Sequence, residues 1–137
     1  MLVHEKRFLA SVIDVGVVSV VALILNFAIP VGILPKDFTF LIYFLLVNVL
    51  YMVISLMVSK DRTLGLYCMS LRLLSDKLDK ASVKSIVIRS FVHGVLVLHV
   101  LNAFYMFLNK SDISFFDVIS DTVIVKTGDT FEIENNK

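Results

Sequence analysis

The stretch RFLASVIDVGVVSVVALILNFAI, residues 7–29, decides the class of fold. Residues 8–29 are long and apolar enough to cross a bilayer as one helix, yet Arg7 opens the run and Asp14 lies inside it. Because seven residues make nearly two helical turns, the two charged side chains project from nearly the same face, roughly 10 Å apart along the axis. An ionisable residue within a span is costly and faces a protein interior or a water-filled cavity. We therefore expect the rest of the chain, or another copy, to cover that face.

The composition favours a membrane protein. Of the 137 residues, 58% are hydrophobic and 18% are charged, whereas a soluble domain is about half apolar and about a quarter charged. A net charge of +1 without a basic stripe argues against a nucleic-acid partner. The lone cysteine, Cys68, leaves no disulfide framework and no thiolate metal site. We expect no metal and no cofactor, and a lipid bilayer as the surrounding medium.

Three apolar runs are candidate spans: residues 8–29, 38–58 and 86–108. The polar segment 59–85 holds six lysines and arginines, against one in the loop between the first two runs. The positive-inside rule therefore predicts that this segment and the N-terminus lie on the cytoplasmic side of the cell (inner) membrane. The sequence predicts an all-α, multi-pass membrane protein, built as a three-helix transmembrane bundle with a polar cytoplasmic loop.

The third run leaves two interpretations open. It contains Arg89, His93, His99 and Asn102, which are unusual within a span. It either crosses the membrane or forms a shorter, re-entrant segment, and the side on which the C-terminal tail lies depends on which is true.

Two shorter segments also carry patterns. Residues 64–74 fit either a surface helix or a strand followed by a turn, and periodicity does not separate the two. Residues 122–126 and 130–134 each alternate and flank a Thr-Gly-Asp sequence. This pattern predicts a short C-terminal β-hairpin.

Four short motifs follow one another along the chain. They are Arg7-Phe-Leu-Ala10 with Asp14, Thr63-Leu-Gly65 with Leu71-Arg72-Leu73-Leu74 behind it, Arg89, and Phe116-Asp117-Val-Ile-Ser-Asp-Thr122-Val-Ile-Val125. In this order and spacing the chain resembles the RDD family of small bacterial integral membrane proteins, from Arg7 to about Lys126. That family is named for an arginine and two aspartates, which the resemblance assigns to Arg7, Asp14 and Asp117.

The resemblance implies a transmembrane domain over residues 1–126, and we expect residues 127–137 to form a polar, flexible tail. The chain departs from the family pattern at three positions. The lysine after Thr-Leu-Gly is Leu66, the histidine before the closing aspartate is Phe116, and the Ala-Gly before the threonine is Ser120-Asp121. If those family groups contact phosphate headgroups or relay protons, this chain has lost part of that role.

The candidate site residues are polar groups in or beside the apolar runs. The primary set is a charge network that serves either transport or structure: Arg7, Asp14, Arg89 and Asp117. The secondary candidates are Asn48, Thr63, Gly65, His93, His99 and Thr122. Asn48 and the two histidines are expected to hydrogen-bond between helices. The two histidines are six positions apart, so we expect their rings to point in different directions, which argues against a two-histidine metal site.

Two functions fit these residues. One is a small membrane module that acts through a homo-oligomer or a membrane-protein partner, as a scaffold, inhibitor or immunity protein. The alternative is cation/proton antiport or small-solute transport, which the resemblance implies for some relatives. In it Asp14 would exchange a proton for Na⁺ or K⁺, with Arg7 or Arg89 tuning it. Three helices cannot enclose a pathway, so transport would require a homo-oligomer or a partner. We expect no enzyme, because the sequence has no nucleophile elbow, H-E-x-x-H or glycine-rich phosphate loop.

Overall fold

Two long helices form the body of the chain, as the first two apolar runs predict. The computed structural model describes residues 2–29, 32–109 and 113–128. Its elements in chain order are α1 (Val3–Ala28), α2 (Lys36–Val58), α3 (Leu64–Cys68), β1 (Leu71–Ser75), α4 (Val83–Gly94), α5 (Leu96–Asn109), α6 (Phe115–Ser120) and β2 (Thr122–Lys126). The chain is mostly helical with a small sheet, which corrects the expected all-α class.

The helix α1 begins at Val3, before the predicted start of the first span. The Glu5 carboxylate accepts a hydrogen bond of 2.9 Å from the backbone N–H of Leu2, which caps the first turn. The buried residues of α1 are spaced three or four apart on one face: Arg7, Ala10, Asp14, Val18 and Ala22. This face packs against α2 and α3. The other sides remain apolar and exposed, as a lipid-facing surface requires.

The third apolar run is broken in the middle. The segment predicted as one span over residues 86–108 forms α4 and α5, which meet at an angle of 103°. Val95 lies between them with an extended backbone and ends α4. Gly94 lets the end of α4 approach α2, since a Cβ there would lie 2.5 Å from Cδ1 of Leu45. Within the described ranges, α1 and α2 are long and apolar enough to cross a membrane, and the bent pair is either a third, broken crossing or a re-entrant segment.

The segment after α2 contains both structures that periodicity left open. Thr63 caps the short helix α3, because its hydroxyl accepts a hydrogen bond of 3.3 Å from the N–H of Leu66. Ser70 then takes a positive φ of 56°, which reverses the chain into β1. Residues 64–74 are therefore a helical turn followed by a strand.

The predicted strand at residues 122–126 is confirmed as β2. Its partner is β1, which pairs with it antiparallel with Leu73 opposite Ile124. The hairpin partner expected at residues 130–134 lies outside the described residues, as does the predicted tail from residue 129 onward.

The sheet is attached to the helices by one apolar cluster. Its buried members come from α1, α2, α3, β1, the β1–α4 connection and α4: Ala10, Leu56, Leu66, Leu71, Leu73, Ala81 and Ile86. This cluster packs the end of α2 against the first half of α1 and against the sheet.

Candidate functional site

A three-residue ion cluster joins distant parts of the chain at one end of α1. Arg89 donates from Nη1 to Oδ1 of Asp117 at 2.6 Å, and Arg7 donates from Nη2 to Oδ2 of the same carboxylate. The guanidinium of Arg7 also donates to the Ser114 hydroxyl at 3.1 Å, and that of Arg89 to the Thr122 hydroxyl at 2.9 Å. All three charged side chains are buried. One carboxylate thus ties α1, α4 and α6 together.

A capping box holds Asp117 in place. The Ser114 hydroxyl accepts from the N–H of Asp117 at 3.2 Å, and the Asp117 carboxylate accepts from the N–H of Ser114 at 2.9 Å. Asp121 ends the helix with left-handed backbone angles, φ 50° and ψ 46°. The predicted site omitted Ser114, although the Ser-x-x-Asp spacing before an apolar stretch is a recognisable signature of such a cap.

The charges around Asp117 favour its ionised form. Burial by itself raises the pKa of this carboxyl group, but the guanidinium groups of Arg89 and Arg7, with the backbone N–H of Ser114, hold the pKa below its ordinary value of 3.8. Asp117 is therefore a fixed negative charge between two fixed positive charges.

Asp14 lies in a second, separate polar site. It accepts hydrogen bonds from the Tyr51 hydroxyl at 2.6 Å, the Thr63 hydroxyl at 2.6 Å and the backbone N–H of Gly65 at 2.9 Å. The site joins α1 to α2 and to the start of α3. Tyr51 was absent from the predicted site, since a tyrosine in an apolar helix is typical of an interface anchor and carries no other signal.

Close packing against α1 explains why residue 65 is a glycine. A Cβ added here would overlap the backbone carbonyl of Ala10 and lie 2.9 Å from the carboxyl carbon of Asp14. Glycine therefore permits α3 to lie directly against α1, where its N–H reaches the carboxylate.

The four predicted charges thus fall into two groups. Arg7 and Arg89 both bind Asp117, while the hydrogen bonds to Asp14 within the described ranges come from two hydroxyl groups and one backbone N–H. None of these three bonds comes from an arginine, so they give no direct contact for the expected tuning of Asp14 by Arg7 or Arg89. The two sites lie along one helix face, two turns apart.

The two histidines come together, which corrects the expectation that their rings point apart. His99 donates from Nε2 to the backbone carbonyl of His93 at 2.8 Å, and the ring centroids are 4.5 Å apart in an edge contact. The bend between α4 and α5 causes this, because it folds the second helix back on the first. Phe116 packs against both rings. Across the described part of the chain, no group of three or more His, Cys, Asp and Glu residues is placed to hold a metal ion.

The predicted interhelical hydrogen bonds of Asn48 and His93 are confirmed. Asn48 donates from Nδ2 to the backbone carbonyl of Ser90 at 2.7 Å, joining α2 to α4. The Nε2 atom of His93 lies 3.2 Å from the hydroxyl oxygen of Ser11, joining α4 to α1. These contacts supply polar links between helices that are largely apolar.

A cavity of about 490 Å³ lies beside α1 and is lined by α1, α4 and α5 together with residues of α2, α3, α6 and the sheet. Most of its lining is apolar. The polar side chains at its wall include Ser11, Asp14, His93, His99 and Asn102. Its size is that of a small-molecule pocket.

The comparison with known proteins gives one match. A sequence model of the RDD family matches residues 4–121, which is most of the chain. No curated protein and no solved structure matches significantly. The matched range contains both buried aspartates and both of the arginines that bind Asp117, and it contains two helices that are apolar enough to cross a membrane. The chain belongs to the RDD family, and it is a membrane protein.

Proposed function

We propose that the chain is a multi-pass module of the cell membrane that works by holding another protein, either a second copy of itself or a membrane-protein partner. Such a module acts as a scaffold, inhibitor or immunity protein, and we propose no catalysis. The observation that carries the proposal is that both buried aspartates are satisfied from within the chain. Asp14 accepts three hydrogen bonds, and Asp117 binds two guanidinium groups.

Charges engaged in this way are suited to holding elements together. The carboxylate of Asp117 is shared by residues that are 110 and 28 positions away in the chain. A cation arriving at Asp14 would have to share the carboxylate with the two donors on Oδ1 and the one donor on Oδ2. Removing one partner of such a buried group leaves the other uncompensated in a low dielectric, which makes the set a structural requirement. The outer, apolar faces of α1 and α2 then remain for lipid and for a partner.

The sheet supports a re-entrant arrangement of the third apolar run, in place of a complete third crossing. β1 precedes α4, β2 follows α5, and the two strands are paired. Paired strands lie on one side of a membrane, so α4 and α5 enter and leave from that side. The positive-inside rule assigns this side, with the N-terminus, to the cytoplasm. The contact between Arg7 and Asp117 agrees, since it joins the start of α1 to α6.

The cavity favours cation/proton antiport or small-solute transport as a second candidate. Asp14 lines the cavity, so a cation or solute there would lie beside a carboxylate. In that role the hydrogen bonds from Tyr51 and Thr63 would open during each cycle.

The two candidates differ in what Asp14→Asn does, and Asp37→Asn is the matched control because Asp37 is exposed at the start of α2. In everted vesicles at equal protein amounts, a respiration-driven pH gradient is followed by dye quenching as Na⁺ or K⁺ is added. The module proposal expects no dissipation by the wild type or by either variant. Dissipation by the wild type and by Asp37→Asn, but not by folded Asp14→Asn, would establish transport instead.

Association is measured on the same proteins. Cys68 is exposed and is the single cysteine of the sequence, so one dye can be attached per chain. Energy transfer between labelled copies in vesicles is expected to persist when the vesicles are fused with excess lipid, for the wild type and for Asp14→Asn. The module proposal is rejected if the energy transfer falls to the level of randomly distributed copies and crosslinking in native membranes also captures no specific partner.

A further inference from the structure

Most polar groups at the wall of the cavity are already engaged within the chain. The wall residues of α1, of α4 and α5 and of the two helix caps that make such hydrogen bonds are Ser11, Asp14, Thr63, His93, His99 and Ser114. Nδ1 of His93 has no partner within the described ranges, but it is too deeply buried for a ligand to reach. The groups that recognise a ligand in the cavity therefore lie elsewhere on its wall.

Two side chains at the wall keep nitrogen donors that a ligand can reach. Arg89 makes its bonds to Asp117 and Thr122 through Nη1, and Asn102 accepts the N–H of Phe115 on Oδ1. Within the described ranges, Nε and Nη2 of Arg89 and Nδ2 of Asn102 make no hydrogen bond, and none of them is an unpartnered atom sealed from contact. Both side chains line the cavity. Because Arg89 is only 5% exposed in all, its two remaining nitrogens open into the cavity.

The fold brings these donors to one part of the wall. Asn102 binds the backbone N–H directly after Ser114, whose hydroxyl binds the guanidinium of Arg7. Arg7 and Arg89 in turn share one carboxylate, and His4 lines the cavity one turn before Arg7 on α1. Two positive charges and an amide donor therefore border the cavity around the start of α6.

The charges at the wall favour an anion at this place. Among the described residues that line the cavity, the only carboxylate is that of Asp14, which already holds three donors. It lies two turns along α1 from Arg7, roughly 10 Å away. The Nε–Nη2 edge of Arg89 presents two parallel N–H groups, the geometry that binds two oxygens of a carboxylate or phosphate.

The rest of the cavity suits an apolar chain. Most of its lining is apolar, and exposed lining residues lie on the outer surfaces of α1 and α5: Phe8, Val12, Gly16 and Ala103. The first three are spaced four apart, so they form one line along α1, whose outer surface is apolar and faces lipid. A lipid can therefore enter the cavity from the side, with its chain along this line.

We propose that this cavity binds an anionic lipid, with its phosphate group on the Nε–Nη2 edge of Arg89 and on Nδ2 of Asn102, and with an acyl chain between α1 and α5. A free phosphate ion would meet the same donors without using the apolar lining, so the test separates the two sources. This site is independent of the protein-holding role proposed above and would be occupied in the same way if that role were wrong.

The test is equilibrium binding of tritiated dioleoyl phosphatidic acid to the purified full chain in micelles of an uncharged detergent. Dioleoylglycerol, with the same chains and no phosphate, and inorganic phosphate, with no chains, are the competitors. We expect each to compete at least about tenfold more weakly than unlabelled phosphatidic acid, because each lacks one half of the recognition. Equal competition by dioleoylglycerol, or by inorganic phosphate, overturns the proposal; the second result would assign the site to the free ion.

A matched pair of variants tests the location. Asn102→Asp keeps an oxygen for the N–H of Phe115 and replaces the Nδ2 donor by a carboxylate oxygen. Asn109→Asp makes the same charge change at an exposed residue of α5 that does not line the cavity. We expect Asn102→Asp to lose at least about tenfold in affinity for phosphatidic acid and Asn109→Asp to stay within about twofold of the wild type. Equal affinities of the two variants overturn the proposal, and the two competitor comparisons on the wild type decide it if Asn102→Asp does not fold.

Discussion

Replacing Asp117 by asparagine tests the role of the ion cluster most directly. Asparagine has nearly the same shape, and its side-chain oxygen can still accept the N–H of Ser114, so the helix cap is largely kept. What disappears is the single negative charge that two guanidinium groups share, in a side chain that is 1% exposed. Arg7 and Arg89 then face each other's positive charge in a buried site.

The size of the effect follows from this burial. Removing one partner of a buried ion pair costs about 3–5 kcal/mol, because the remaining charge is left uncompensated. A domain has a free energy of unfolding of about 5–15 kcal/mol. We therefore expect Asp117→Asn to lose a large fraction of the stability and to accumulate poorly in membranes.

The assay is unfolding of the purified protein from mixed micelles by added dodecyl sulfate, followed by far-ultraviolet circular dichroism at neutral pH. Asp121→Asn is the control, because it makes the same chemical change four residues away at an exposed position with left-handed backbone angles that asparagine tolerates. It is expected to change the free energy of unfolding by less than about 0.5 kcal/mol.

A compensating change sharpens the result. Arg89→Met in the Asp117→Asn background removes one of the two uncompensated positive charges, so we expect it to recover part of the lost stability. The reasoning is refuted if Asp117→Asn is as stable as Asp121→Asn. It is also refuted if Arg89→Met destabilises the Asp117→Asn protein by as much as it destabilises the wild type.

Two further predictions concern pH and packing. The pKa of Asp117 is lowered in the folded protein, so its contribution to stability is fully present above the ordinary value of 3.8 and is lost as the pH falls through the lowered folded value. The free energy of unfolding attributable to this group should therefore be constant from pH 7 to about pH 5 and fall below about pH 4, which an acid titration of the wild type against Asp117→Asn measures. Gly65→Ala places a methyl group on the backbone of α1 and should cost about 1–3 kcal/mol in the same unfolding assay. Gly16→Ala, where no atom lies within 4 Å of the added Cβ, should be neutral or stabilise by up to about 1 kcal/mol.

Both the pH prediction and the packing prediction have an outcome that would contradict them. An acid-induced loss of equal size in Asp117→Asn would assign the loss to other carboxyl groups. Equal unfolding midpoints for Gly65→Ala and Gly16→Ala would mean that α3 does not lie against α1 as closely as the structure has it.

Local patterns in the sequence predicted the elements well. The first two apolar runs are the helices α1 and α2, and the alternation at residues 122–126 is the strand β2. These features depend on neighbouring residues: length and hydropathy for a span, and side-chain alternation for a strand. The resemblance to the RDD family rested in the same way on short motifs, and the family match over residues 4–121 confirms it.

The sequence by itself therefore determined that this is a membrane protein with two long apolar helices, and it identified the charges that lipid cannot cover. Tertiary structure decided which partners those charges have: Asp117 binds two arginines, Asp14 binds hydroxyl groups and a backbone N–H, and β2 pairs with β1. The break at Val95 likewise brought together two histidines that helical spacing would separate. The reason is that each of these contacts joins segments of the chain that are brought together only when α1, α2 and the α4–α5 pair pack, and no local periodicity encodes a contact of that kind.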